Sequence, residues 1–226
     1  MYDLILSQTY TNILEWVIVE GSQNEPDGEQ NRINIKYLQD NHQLDFNIVY
    51  VPYSNQKLSD LRNLSNDMCK GDIIVCMDDD DYYPKERVRH AVEQLENSDY
   101  LIAGCTDIYL YEFGWDKLFK CMGFHSYHST NNVMAYKREY LLHHRYAPGL
   151  SMAEEVSFTN YFTEPMVQLN AKKSIVVSCH NRNTVDKQPF CLQKVIVNEI
   201  RDDIHKYIPM DIFCKMRDQF KDVYTE

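Results

Sequence analysis

The sequence predicts an α/β fold with a mostly parallel sheet covered by helices on both faces. Three observations predict it. Short apolar runs recur at 16–20, 46–51, 73–77 and 100–105. Between them lie stretches with helical apolar spacing, as at Leu58, Leu61, Leu64 and Met68. Gly21, Pro52, Gly71 and Pro84 punctuate the joins. Strand and helix alternating at this spacing give parallel strands joined by crossovers.

Each element has its own warrant. Trp16–Glu20 reads as a buried strand stopped by Gly21-Ser22. Residues 23–31 are polar, contain Pro26 and Gly28, and read as a loop; a helix follows at about 29–41. Phe46–Val51 is the second strand, and 55–69 a helix that Gly71 ends as a C-cap would. Ile73–Met77 is the third strand. Pro84 opens a helix to about Leu95, a favoured early position for proline. Tyr100–Cys105 is the fourth strand, with Tyr111 as its furthest extent. Further on, Asn132–Tyr136 and Ser174–Ser178 read as strands, Lys137–His144 and Ala153–Phe162 as helices. From about 190 the chain reads as helical, broken near Pro209.

At 226 residues the chain suits one large domain with a tail. A net charge of −11 argues against broad nucleic-acid binding and against docking on anionic lipid. The seven cysteines are scattered without a C-x-x-C pair, which fits reduced structural thiols and a cytoplasmic location. No apolar run has the length of a membrane span, and no signal peptide is visible. Seventeen tyrosines fit an aromatic-rich core or the lining of a sugar cleft.

The most telling local feature is Asp78-Asp79-Asp80-Asp81, set directly after the third strand. On a strand Asp78 and Asp80 share a face, about 7 Å apart. At an effective dielectric near 20 such a pair costs roughly 2 kcal/mol. A cation relieves that cost, and carboxylates suit Mg²⁺, Mn²⁺ or Ca²⁺. The plain alternative is a solvated acidic turn. Ligands of parallel sheets bind beyond the carboxyl ends of the strands, where Glu20-Gly21 and the acidic run both lie.

Several segments, in order, resemble glycosyltransferase family 2. Ser7-Gln8-Thr9-Tyr10-Thr11-Asn12 and Glu15–Ser22 resemble its opening "QTY-x-N…D-G-S". Leu61-Arg62-Asn63-Leu64 is similar to its "ARN" helix, and Lys70–Ile74 with Asp78–Asp81 and Pro84 to its D-x-D segment. Asn132–Glu139 is similar to the strand and helix before the catalytic acid. Ala153-Glu154-Glu155 stands where the family has "G-E-D", and His180-Asn181-Arg182-Asn183-Thr184 resembles a late metal-binding histidine segment.

The resemblance implies a GT-A fold: one domain over 1–190, with a Rossmann-like nucleotide-sugar half (1–105) and a smaller acceptor half (106–190), then a helical tail over 191–226. It implies transfer of a sugar from a nucleotide diphosphate donor, more often UDP than GDP, to a glycan or glycoconjugate hydroxyl. It implies Mn²⁺ or Mg²⁺ as cofactor. Asp78 would face the donor's ribose or base and Asp80 the metal, with His180 as second ligand. Asp79 would point to the opposite face, and Asp81 would reach the ion directly or through water. His125 and His128 compete with His180. Glu155 would be the general base of an inverting displacement, with Glu154 as its understudy. Glu20 would contact the nucleobase, Arg62 with Asn63 the nucleotide, and Lys57 is a further candidate. Arg182 and Lys187 would close on the diphosphate.

Each of these residues also has a structural reading: a strand-end acid, a helix-terminal carboxylate, a solvated arginine. Three other functions compete. A sugar-phosphate nucleotidyltransferase wants a basic Gly-rich loop where Glu25, Asp27 and Glu29 stand. A phosphatase-type nucleophile wants a threonine near the D-x-D. A Ca²⁺- or carbohydrate-binding module needs no transfer chemistry. The family's first strand has only Met1–Leu6 to stand for it, so residues 2–10 are either a short strand or the tail of a first helix. An oligomer, or membership of a larger polypeptide, stays open.

Overall fold

The computed structural model describes residues 1–226 except 22–24, 42–43, 54–56, 182, 184–185, 194–195 and 222–226. In chain order the elements are α1 (Tyr2–Leu6), β1 (Glu15–Glu20), α2 (Glu25–Asn41), β2 (Asn47–Pro52), α3 (Leu58–Met68), β3 (Ile73–Val75) and α4 (Arg87–Glu96). There follow β4 (Ile102–Gly104), β5 (Ile108–Glu112), β6 (Lys117–Cys121), β7 (Ala135–Lys137) and α5 (Glu155–Phe158). The chain closes with β8 (Val167–Gln168), β9 (Val176–Cys179), α6 (Gln188–Cys191), β10 (Val197–Ile200) and α7 (Met210–Lys221). They fall into two compact units, one made of Met1–Thr9, Val75–Ala135 and Pro165–Glu226, the other of Tyr10–Ile74 and Tyr136–Glu164.

The α/β class is as expected, and the sheets are partly parallel. In the unit holding Tyr10–Ile74, β1 and β2 pair in parallel, Trp16 opposite Ile48 and Ile18 opposite Tyr50. The residues expected as loop up to 31 are helical from Glu25. Pro26 falls in the first turn, where a missing N–H costs nothing. Local pairs support this polar helix: Arg32 with Glu29 at 2.9 Å, and Gln30 with Asn34 at 3.0 Å. The unit's core is aromatic. Tyr136, Tyr140, Tyr146 and Phe158 are all fully buried, and the Tyr146 and Phe158 rings stack at 4.1 Å. The hydroxyls of Tyr136 and Tyr140 donate to Asn66 Oδ1 and the Phe158 carbonyl, so no polar tip is stranded there.

In the other unit, β4 pairs with β8 in parallel and β5 with β9 in parallel, while β6 runs antiparallel to both β5 and β10. The fourth strand therefore does not run on to Tyr111. It stops at Gly104, where a Cβ would lie 2.4 Å from that of Ser129, and β5 begins in a different sheet. The expected helical tail contains β10, the edge strand of its sheet, with Val197 buried and Asn198 and Glu199 exposed. The helix expected over 153–162 ends at Phe158, because Asn160, Tyr161 and Phe162 adopt left-handed backbone with φ of 47°, 58° and 57°. No disulfide links the seven cysteines.

Residues 2–6 are helical, which settles the choice at the front in favour of a helix tail. The buried Gln8 that follows is a connector. Its amide donates to the carbonyls of Leu4 and Pro84, and its Oε1 accepts from the Val88 amide at the start of α4. Thr9 N–H donates to the Lys85 carbonyl at 2.8 Å. The first residues of the "QTY" segment thus anchor the turn that follows the acidic run.

Candidate active site

The acidic run is held from below. Tyr83 is fully buried; its hydroxyl accepts from the Asp78 amide (2.7 Å) and donates to the Asn132 carbonyl (3.1 Å). Arg87, also fully buried, donates through Nη2 to the carbonyls of Cys76, Val133 and Met134 at 3.2, 2.9 and 2.9 Å. Tyr82 exchanges backbone hydrogen bonds with Val176 at 3.1 and 2.9 Å, which stitches the run to β9.

That stitch explains how residues a hundred positions apart meet. β9 ends at Cys179, and His180 follows it with its Nε2 3.4 Å from Asp80 Oδ2. Asn183 bridges the two: its amide lies 3.1 Å from Asp80 Oδ2 and 3.1 Å from His180 Nε2, while its Oδ1 accepts from the His180 amide at 2.9 Å. Burial alone would raise the Asp80 carboxyl. The hydrogen bond to His180 and the charge of Lys187 outweigh it and hold the group below its ordinary value. Lys187 itself donates to the Ser178 carbonyl at 2.9 Å.

The other aspartates have different surroundings. Asp81 is buried, and both its oxygens already have donors: Asn132 Nδ2 at 2.6 Å and the Ser178 amide at 2.8 Å. Burial, then the charge of Asp80, pushes its carboxyl up to about 8. Asp79 is exposed at the turn's edge, and partial desolvation with the charges of Asp80 and Asp78 raises its pKa. Asp78 is half-buried.

In the other unit, Glu154 and Arg62 meet each other. Arg62 Nε donates to Glu154 Oε1 at 2.7 Å, with only 16% and 4% of the two side chains exposed. Asn63, expected toward the nucleotide with Arg62, clasps the backbone of Tyr146 through both ends of its amide, at 2.9 and 3.1 Å. Ser59 and Asp60, at the start of α3, hold the Leu150 and Gly149 amides and so fix the loop leading to Glu154. Glu155 is the first residue of α5 and is half-buried. The residue before the pair, Ala153, has φ of 52°, a left-handed conformation that suits the glycine the family carries there. Glu20 accepts from the Tyr50 hydroxyl and from Asn31 Nδ2. Burial, then this contact, pushes Tyr50 up to about 12. Lys57 Nζ lies 3.2 Å from Ser151 Oγ.

Asn183 and Asn132 are the residues that sequence reasoning missed as organisers of the run. Asn183 stood inside the quoted histidine segment, and its amide is what a neighbouring acid and imidazole need as a bridge. Asn132 opened the quoted Asn132–Glu139 segment, but nothing there pointed to Asp81, 51 positions away. His125 and His128 pack together in the loop after β6, ring centroids 6.3 Å apart. Arg182 and Thr184 lie outside the described residues, as does Ser22.

Among the described residues no three His, Cys, Asp or Glu side chains converge as a self-contained metal cage. Asp80 and His180, with donor atoms 3.4 Å apart, offer one carboxylate and one imidazole, donor types that divalent ions of the first transition row accept. The donor chemistry therefore fits such an ion.

A family model described as glycosyl transferase family 2 matches residues 3–160. No curated protein matches the chain. Solved structures do. S. aureus TarS 1–349 superposes with a TM-score of 0.57 at 13% identity, covering 79% of this chain and 55% of that one. TarS 1–349 in complex with UDP-GlcNAc gives 0.54 at 15%, covering 81% and 55%. The complex with UDP gives 0.53 at 13%, covering 80% and 56%. At this identity the likeness is one of fold, and the chain spans about half the length of these structures. No helix among the described residues is long and apolar enough to cross a membrane.

Proposed function

We propose that this chain, which belongs to glycosyltransferase family 2, moves a sugar from a nucleotide diphosphate donor to a hydroxyl of a glycan or glycoconjugate. The observation that carries the reading is the Asp80–His180 pair with Asn183 across it. Family membership gives the reaction class, and the structures of TarS with UDP and UDP-GlcNAc make a UDP-sugar the first donor to try.

Breaking the bond between sugar and diphosphate builds negative charge on the leaving group. A bound Mn²⁺ or Mg²⁺ would supply countercharge there. Asp80 and His180 would hold that ion, and Asn183 keeps both at one separation before substrate arrives. Lys187 adds positive charge near Asp80. Asp78 is assigned to the nucleoside side. Asp81, with both oxygens engaged, serves the shape of the run. Glu155 is the proposed base, taking the acceptor's proton as the new bond forms, with inversion at the sugar carbon. Glu154 is paired with Arg62 at 2.7 Å, and the base is assigned to Glu155 on its place in the motif.

The test is a panel of nucleotide sugars scored for donor hydrolysis with Mn²⁺, beside melting curves with Mn²⁺ plus UDP and with Ca²⁺ alone. The reading expects turnover of one donor and stabilisation by Mn²⁺ with UDP. No turnover, with stabilisation by Ca²⁺ alone, would replace it with a binding module.

A further inference from the structure

His180 lies outside the family-matched segment, as do Asn183 and Phe220, two of the residues that meet its ring; Asp80 lies inside it. Its edge is set by Asn183 and Asp80. Its plane is set by Phe220, whose ring stacks on the imidazole at a centroid distance of 4.0 Å and 17° between planes. Phe220 belongs to α7 and is buried. The phenyl face lies nearly parallel to the imidazole.

α7 is seated for this. Phe213, Met216 and Phe220 recur at helical spacing and are all buried. Phe113, just past β5, stacks on Phe213 at 6.2 Å and meets Phe220 at 5.0 Å, and Tyr111 of β5 packs edge-on against Phe213 at 5.2 Å. The helix is also tied to α1 by Lys215 and Asp3 at 2.6 Å. Phe213 packs on Phe113 and Tyr111, and Phe220 is the α7 residue whose ring stacks on the histidine.

We infer that Phe220 is a positioning residue for metal-dependent donor binding: α7 carries it to the face of His180 so that Nε2 stays aimed at the Asp80 side. This rests on the proposed role of Asp80 and His180. A metal-binding imidazole gains affinity when its orientation is fixed in advance, and loss of such support typically costs about 10–100-fold in metal binding.

The experiment compares Phe220→Leu, Phe220→Tyr and Phe213→Leu. Three quantities are read: Mn²⁺ dissociation constant in the presence of UDP, melting temperature, and the His180 ring resonances of the metal-free protein, identified by their loss in His180→Asn. Leucine keeps bulk and loses the flat face. It should weaken Mn²⁺ binding about 10-fold and abolish the upfield ring-current shift at His180, with a loss of melting temperature no larger than that of Phe213→Leu. Tyrosine should restore both affinity and shift. Phe213→Leu should lower the melting temperature and leave Mn²⁺ affinity as it was. If Phe220→Leu does not fold, Phe220→Met, which fills the space with a flexible chain, makes the same comparison. Unchanged Mn²⁺ affinity without the aromatic face, or equal loss in Phe213→Leu, would overturn the inference while leaving the metal site standing. A wild-type protein that shows the ring-current shift but binds no Mn²⁺ with UDP would overturn both.

Discussion

Arg62 and Glu154 form an ion pair at 2.7 Å within one unit, almost out of reach of solvent. Both were candidates for chemistry, one for the nucleotide and one for the base. The pair gives each a structural partner. Breaking a buried pair by removing one member typically costs about 3–5 kcal/mol, because the other charge is left desolvated. Glu154→Gln and Arg62→Met should each lower the unfolding free energy by an amount toward that range, discounted for the part of Arg62 that meets water. The double variant should recover a good share of the loss. Glu155→Gln should do the reverse, keeping the melting temperature and cutting transfer by about 10²–10⁴-fold. Denaturant melts beside rates normalised to folded protein separate the two. Equal catalytic loss in folded Glu154→Gln would return the base to Glu154.

Asp80 and Asp81 are adjacent and should behave oppositely. Asp81→Ala strands the Asn132 amide and the Ser178 amide, each left unsatisfied at about 1–3 kcal/mol. A markedly lower denaturation midpoint is expected. Asp80 is one-third exposed, so Asp80→Asn should melt within a few degrees of wild type and lose metal-dependent donor turnover. Turnover that survives Asp80→Asn would remove this residue from the metal's ligands.

The division of labour along the run shows how far the sequence could be read. The strand–helix alternation, the place of the run after β3 and the arrival of His180 were legible, because apolar period and motif order survive in one dimension. Which aspartate stays available was not. That depends on Ser178 and Asn132, which are 97 and 51 positions from Asp81 and are ordinary residues until the chain folds. The helical start at Glu25 was hidden for a different reason: a helix with no apolar stripe gives no periodic signal, and Arg32–Glu29 and Gln30–Asn34 are weak cues in a polar stretch. The strand β10 was misread because four residues carry too little alternation to outweigh the helical spacing that follows them.

Ala153 offers a test at a single backbone angle. A residue with a Cβ in left-handed backbone carries about 1–2 kcal/mol of strain. Glycine avoids that strain and loses roughly 0.5–1 kcal/mol through its more flexible unfolded state. Ala153→Gly should therefore be neutral to stabilising by up to about 1 kcal/mol, whereas glycine at the buried, right-handed Ala91 should destabilise. Chemical denaturation of the two variants checks the contrast. A clear loss at Ala153 would mean that the methyl makes a contact worth more than the strain.

Arg87 holds three carbonyls at the base of the run, while its Nε and Nη1 have no partner among the described residues. Burial lowers its pKa. Lysine has one ammonium and no planar fork, so it cannot reproduce this reach. Arg87→Lys should destabilise by about 2 kcal/mol or more, and Arg87→Ala further, since a cavity is added to the unsatisfied carbonyls. Amide exchange should quicken first at Cys76, whose N–H bonds the Met134 carbonyl that Arg87 also holds.

His90 makes stability depend on pH in a definite direction. Its Nε2 accepts from the Asn170 amide at 2.9 Å, a bond that only the neutral ring can make. Burial lowers its pKa, the positive charges of Lys173 and Arg87 add to that, and Glu93 opposes it more weakly. The folded state thus binds the proton less readily than the unfolded chain. The sign follows: where the unfolded state holds more protons, stability rises with pH. The contribution is complete above about pH 6.5, the ordinary histidine value, and is lost as pH falls through the depressed value of the folded ring. His90→Gln keeps an acceptor without a titration. Unfolding free energies of wild type and His90→Gln, taken between pH 7.5 and about pH 5, should diverge on the acid side, wild type falling more steeply. Parallel curves would mean that the ring stays neutral in both states or gives up the Asn170 bond at no cost.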